Sequence, residues 1–131
     1  MREIRHIVIH HSASGKGTTV EDIDEWHRAR GFSGIGYHYV IDGLANLVPC
    51  RDLSRMGAHA KHFNRQSIGV CVVGDNTSNQ RNLHWNKKQQ TMLRRTVDAL
   101  TLLFPNAVVV GHRELAVTEC PGYEIRDILE A

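Results

Sequence analysis

Cysteine is scarce in this chain. There are three in 131 residues, Cys50, Cys71 and Cys120, odd in number and widely spaced. That excludes a disulfide framework as the source of stability. An excess of charge of one sign is also missing. The formal net charge is +2, far from the bias of a dedicated nucleic-acid binder. The KHFNR stretch (61–65) carries too little charge to track a phosphate backbone and reads as a solvated loop. No run of about 18 apolar residues occurs, so no membrane span is expected. The opening residues hold one charge cluster with no long apolar stretch behind it, and no secretory signal is expected. Internal repeats, low-complexity tracts and linkers are lacking too, and so is the HExxH motif of a large class of zinc proteases.

What is present suffices for a soluble core. Hydrophobic residues make up 41% and charged residues 23%, ordinary values for a globular protein. The length fits one domain spanning 1–131. The one clear excess is histidine, nine in all.

Periodicity organises the chain. Ile4 to His10 is a short β-branched run and reads as a buried strand. Thr18 and Glu21 form a capping-box pattern before a helix from Val20 to Arg30, with Gly31 as its stop. Tyr37 to Ile41 reads as a strand, Asp42-Gly43 as a tight hairpin turn, and Leu44 to Val48 as the returning strand. Residues 51–65 read as a long loop. Ser67 to Val73 reads as a central strand in which Cys71 is a small buried hydrophobe. Asn86 and Gln89 are a second capping box, opening a helix whose buried face is Leu93, Val97, Leu100, Leu103 and Phe104 and which Pro105 ends. Ala107 to Val110 reads as a strand and Glu124 to Leu129 as a short helix. The irregular alternation predicts an α/β domain with a mixed central β-sheet flanked by helices.

Three residues that bind metals well fall at or just beyond strand ends, where a sheet fixes the backbone. His10 closes the first strand, His112 follows the AVVV strand by one glycine, and Cys120 lies eight residues later. Two imidazoles and a thiolate suit a catalytic zinc with an open fourth position. Taken one at a time, each is better read as a surface or hydrogen-bonded core histidine or an inert thiol, and the spacing of eight between His112 and Cys120 adds little by itself. His10 and His11 are neighbours in a strand and point to opposite faces, so only one of them joins such a site. Spacing alone does not choose which. Tyr37 or His38 faces the core for the same reason.

Five segments together carry a resemblance: IVIHHSAS (7–14), GIGYHYVI (34–41), GAHAKHFNRQSIGVCVVG (57–74), VVGHRE (109–114) and TECPG (118–122). In order and spacing, almost the whole chain resembles the type-2 N-acetylmuramoyl-L-alanine amidases. That family includes phage lysis enzymes and shares its fold with the peptidoglycan recognition proteins. The resemblance implies one amidase domain over 1–131, an amidase/recognition-protein-like sheet, and zinc-dependent cleavage of the bond between N-acetylmuramic acid and L-alanine. It implies a Zn2+ ion on His10, His112 and Cys120, with Tyr37 and Thr118 assisting catalysis. It also implies His38, His59 and Asn64 in the muramyl-peptide groove. At Thr118 the sequence looks closer to the recognition-protein branch than to phage enzymes with lysine there. The expected partners are peptidoglycan or muramyl peptides, with no nucleic acid and no membrane, and the chain is expected to be a monomer. The implied route is endolysin-like: cytoplasmic synthesis, then access to the wall by phage lysis or nonclassical export. A peptidoglycan receptor that cleaves nothing is the main competitor; such receptors typically lose a zinc ligand, often the cysteine.

Overall fold

A computed structural model describes residues 2–131. The strands are β1 (His6–His11), β2 (Tyr39–Ile41), β3 (Leu47–Pro49), β4 (Ser67–Val72) and β5 (Val108–Gly111). The helices are α1 (Val20–Ala29), α2 (Lys87–Leu103) and α3 (Ile125–Leu129). The strands form one mixed sheet in the order β3-β2-β4-β1-β5. β1 runs parallel to β4 and to β5, β2 runs parallel to β4, and only β3 is antiparallel. The expected α/β architecture, a mixed sheet with flanking helices, is what forms.

The alternation along β1 decides what each face of the sheet does. Ile7 and Ile9 pair in register with Ile68 and Val70 of β4. They pack with Leu93, Val97 and Leu100 of α2 and with Ile125 and Ile128 of α3 into the main core. These side chains are at most 8% exposed. The alternate residues, Val8 and His10, pair with Gly69 and Cys71 and face the other way. There Val8 packs with Ala60 and Val110, while Ile23 of α1 packs with Ile35, Val40 and Cys71. α1 covers part of this second face and the 57–66 loop covers more of it, and a cleft remains between them.

Local chemistry moved several boundaries. The first capping box is Thr19–Asp22, one residue later than Thr18–Glu21: the Thr19 hydroxyl accepts from Asp22 N–H and the Asp22 carboxylate from Thr19 N–H. The second box, Asn86–Gln89, forms as expected. The two-residue hairpin is instead a five-residue loop, 42–46. Asp42 Oδ1 accepts from the backbone of both Leu44 and Asn46, and that anchored turn holds Leu44 out of the returning strand. β2 begins at Tyr39 and not at Tyr37, because Gly69 N–H donates to the His38 ring and not to a backbone carbonyl. Leu103 turns to solvent, 62% exposed, and Phe104 takes the inward place against the core.

Gln89 ties the elements together at the sheet's upper edge. It is fully buried. Its Oε1 accepts from Lys16 Nζ at 2.5 Å and Asn86 N–H at 3.1 Å. Its Nε2 donates to Asp42 O at 3.0 Å and Val73 O at 2.7 Å. Gln89→Leu leaves Val73 O and Asn86 N–H without that partner, while Asp42 O keeps Ala45 N–H and Lys16 Nζ keeps His84 O. We expect a loss of roughly 3 kcal/mol in unfolding free energy, because buried polar groups left unpaired cost about 1–3 kcal/mol each. Urea unfolding checks this, and an unchanged midpoint would show the four contacts to be dispensable.

Candidate active site

His10 is 2% exposed at the base of the cleft on this second face of β1. His112 opens a 3-10 turn directly after β5, so the parallel pairing of β1 with β5 brings the two imidazoles together, ring centroids 4.6 Å apart. The loop after His112 then folds back. Arg113 N–H donates to Cys120 O at 2.7 Å, and Asn76 Nδ2 donates to Pro121 O at 2.8 Å. This brings Cys120 Sγ to 3.8 Å from His10 Nδ1 and 3.3 Å from the backbone N of His11. One potential ligand atom from each of His10, His112 and Cys120 lies within 4.8 Å of the others. His11 points to the opposite face, where its Nδ1 accepts from Asn76 N–H at 3.2 Å.

The electrostatics suit a cation. Burial, and then the neighbouring His59 and His112 rings, hold His10 well below the ordinary imidazole range. Burial lowers His112 as well. Both rings are therefore neutral, the form that binds metal. Burial pushes the Cys120 thiol up to about 11, so a thiolate there needs a positive partner. Two nitrogens and a sulfur around a tetrahedral zinc stand roughly 3.5 Å apart, close to the 3.8 Å between Nδ1 and Sγ. The donor set thus fits zinc in its chemistry, and the His10–Cys120 pair is close to zinc spacing.

The three residues border a cleft of about 510 Å³, which Tyr37, His59, Asn64 and His27 also line. Arg30 and Lys61 add positive charge to its wall, and no carboxylate among the described residues lines it. A larger concavity, about 840 Å³, lies at the other end of β1 around Arg2, His6 and Phe63, away from this donor set. The Tyr37 ring centroid is 5.0 Å from that of His10, and burial holds its hydroxyl well above the ordinary phenol range. Asn64 Oδ1 accepts from the backbone of His59 and Ala60 and so shapes the cleft wall. Gly36 permits the close approach of that wall: Ala58 N–H donates to Gly36 O, and a Cβ on Gly36 would strike the Ala58 backbone.

Two of the residues singled out in the sequence stand apart from the cleft lining. His38 is fully buried beneath it, its Nδ1 accepting from Gly69 N–H and its Nε2 donating to Arg55 O. Thr118 is exposed on the loop before Cys120. Its Oγ1 accepts from Cys120 N–H at 3.2 Å, which leaves the hydroxyl proton free to donate. His27 was missed. It sits one helical turn after Ile23 on the buried face of α1, and its Nδ1 accepts from Gly36 N–H at 2.8 Å. The i, i+4 spacing from Ile23 was the signal.

A pH dependence follows from His27 and His38. Burial lowers both below the ordinary 6.5. Nearby Arg30 and Arg51 lower His27 further, and Asp24 opposes them. For His38 the Arg55 carbonyl opposes burial, while Arg2 and Arg51 add to it. The unfolded chain therefore binds more protons than the folded one below about pH 6.5, and stability falls as pH drops through that value. The urea midpoint of metal-free protein is expected to decline from pH 7.5 to pH 5; a flat profile would contradict the neutral, buried assignment.

The N-acetylmuramoyl-L-alanine amidase family model matches residues 1–123. The endolysin of Escherichia phage T7 is 31% identical over 123 residues, covering 92% of this chain and 82% of that protein. Among solved structures, the Ph2119 endolysin of a Thermus scotoductus bacteriophage is 29% identical with a TM-score of 0.90, covering 99% of this chain and 85% of that one. The amidase LysC of Clostridium intestinale is 28% identical with a TM-score of 0.88, covering 97% and 83%. With a family model spanning nearly its whole length, the chain belongs to the N-acetylmuramoyl-L-alanine amidase family.

Proposed function

We propose that residues 1–131 act as one zinc-dependent amidase domain that hydrolyses the bond between N-acetylmuramic acid and L-alanine in peptidoglycan. The observation that carries this is the convergence of His10, His112 and Cys120 on the floor of an open cleft. A peptidoglycan receptor has no need of a complete ligand set.

His10 and His112 hold the metal as neutral imidazoles, and Cys120 holds it as a thiolate, which His11 N–H steadies at 3.3 Å. Bound zinc supplies an acidified water and a polarised carbonyl. Tyr37 stays protonated at every working pH, because burial raises its hydroxyl, and it donates to the oxygen on which negative charge develops. Thr118 offers a second, neutral donor from the rim. His59 and Asn64 form the wall against which the muramyl peptide lies, and His38 supports that wall from beneath. Arg30 and Lys61 favour a stem peptide that carries carboxylates. The substrate is peptidoglycan or a muramyl peptide, not a nucleic acid or a membrane, and the working unit is a monomer. No helix among the described residues is long and apolar enough to cross a membrane. We place the enzyme's action at the wall, reached after cytoplasmic synthesis by phage lysis or nonclassical export.

Product analysis tests the bond. Purified peptidoglycan treated with the protein is expected to gain free amino-terminal alanine without gaining reducing sugar ends. New amino termini from residues other than alanine, or new reducing ends, would refute the assignment.

A further inference from the structure

The His10 ring has two nitrogens, and they face different partners. Nδ1 faces Cys120 Sγ at 3.8 Å. Nε2 lies 2.9 Å from His59 Nδ1, with the two rings nearly perpendicular at 87°. The far nitrogen of His59, Nε2, is 3.2 Å from Ser67 Oγ, and Ser67 is fully buried.

This chain has one consistent direction when Nδ1 of His10 gives its lone pair to a metal. A neutral imidazole with a metal on Nδ1 carries its proton on Nε2. That N–H donates to His59 Nδ1, which requires the proton of His59 on Nε2, which in turn donates to Ser67 Oγ. The ring of His59 is also built in. A Cβ on Gly69 would stand 2.6 Å from it, and one on Gly57 would stand 2.7 Å away. Both positions carry the one residue that leaves room for an imidazole. A ring that served only as cleft lining would not need a slot cut from β4 beneath it.

We infer that His59 is a positioning residue for the metal ligand: it accepts from His10 Nε2–H and so fixes the tautomer and ring angle in which His10 presents Nδ1. The inference rests on the zinc assignment above. It adds that residue 59 contributes to metal affinity through His10 without touching the metal.

The test is zinc affinity, measured by competition with a chromophoric chelator on wild type, His59→Ala, His59→Asn and Ser67→Ala. Loss of the partner that orients a metal-binding histidine typically weakens binding about 10–100-fold, and His59→Ala is expected in that range. His59→Asn should recover most of the loss, since its Oδ1 stands where Nδ1 stood. Ser67→Ala should weaken binding a few-fold, because the acceptor that keeps the proton on His59 Nε2 is gone. In 15N-histidine spectra of the zinc-loaded wild type, His10 and His59 should both be protonated at Nε2. Zinc affinity within twofold of wild type in His59→Ala would overturn the inference. So would an Asn variant as weak as Ala, which would mark the role as packing alone, or a His59 protonated at Nδ1. Should His59→Ala fail to fold, Ser67→Ala and the spectra decide. A wild type that binds no zinc would instead defeat the zinc assignment itself, a result distinct from unaltered variants.

Discussion

Replacing His112 by alanine is expected to remove bound zinc and hydrolysis together while leaving the fold in place. His112 is half-buried at the end of β5, and its side chain belongs to none of the buried apolar clusters. Its loss therefore opens little of the core. The donor set, by contrast, falls from three to two, and a catalytic zinc site needs three protein ligands. The loss of affinity should exceed the roughly 100-fold that partners outside the ligand set cost. Cys120→Ser should behave similarly, with an added effect: its backbone still pairs with Arg113 N–H, so the loop stays while the thiolate goes. His11→Ala is the internal control, because His11 faces Asn76 on the other side of the sheet. Elemental analysis beside circular dichroism reads all three variants. Full zinc content in His112→Ala would remove that residue from the site.

Tyr37→Phe is expected to lower turnover about 100-fold or more with zinc content unchanged. Only one oxygen is lost. The ring still packs against Ile23, Ile35 and Cys71, so the cleft keeps its shape. A single donor to a developing oxyanion is worth that much in a dry site, and Tyr37 is buried enough for its hydroxyl to be held well above the ordinary phenol range. Thr118→Val should cost less, since the Thr118 side chain is exposed and donates from the rim in competition with water. Steady-state hydrolysis of a muramyl-peptide substrate, with zinc measured in the same samples, separates the two. Undiminished turnover in Tyr37→Phe would take the phenol out of the reaction.

Much of the sheet was legible because strand and helix periods were clean. Ile7 and Ile9 alternate with Val8 and His10, and the two sets go to two faces. The Asn86–Gln89 box marked the start of α2. What escaped depends on side chains competing with the backbone. Asp42 satisfies two amides itself and lengthens a hairpin that its sequence suggests is tight. His38 replaces a carbonyl in the ladder and delays β2. The site was legible in its donors but not in its geometry. His10 and Cys120 are separated by 110 residues, and only the resemblance favoured His10 over His11. The register that pairs His10 with Cys71 on the cleft face is a tertiary fact. The pairing of His59 with His10 likewise arises from the 57–66 loop closing over one face, which no local pattern encodes.

The most direct test of the central assignment is a zinc titration of chelator-stripped protein, followed by release of amino-terminal alanine from purified peptidoglycan. Stripped protein is expected to be inactive, and activity is expected to rise in proportion to added zinc and to stop rising at one zinc per chain. Full release of alanine by protein shown to be free of metal would contradict the assignment.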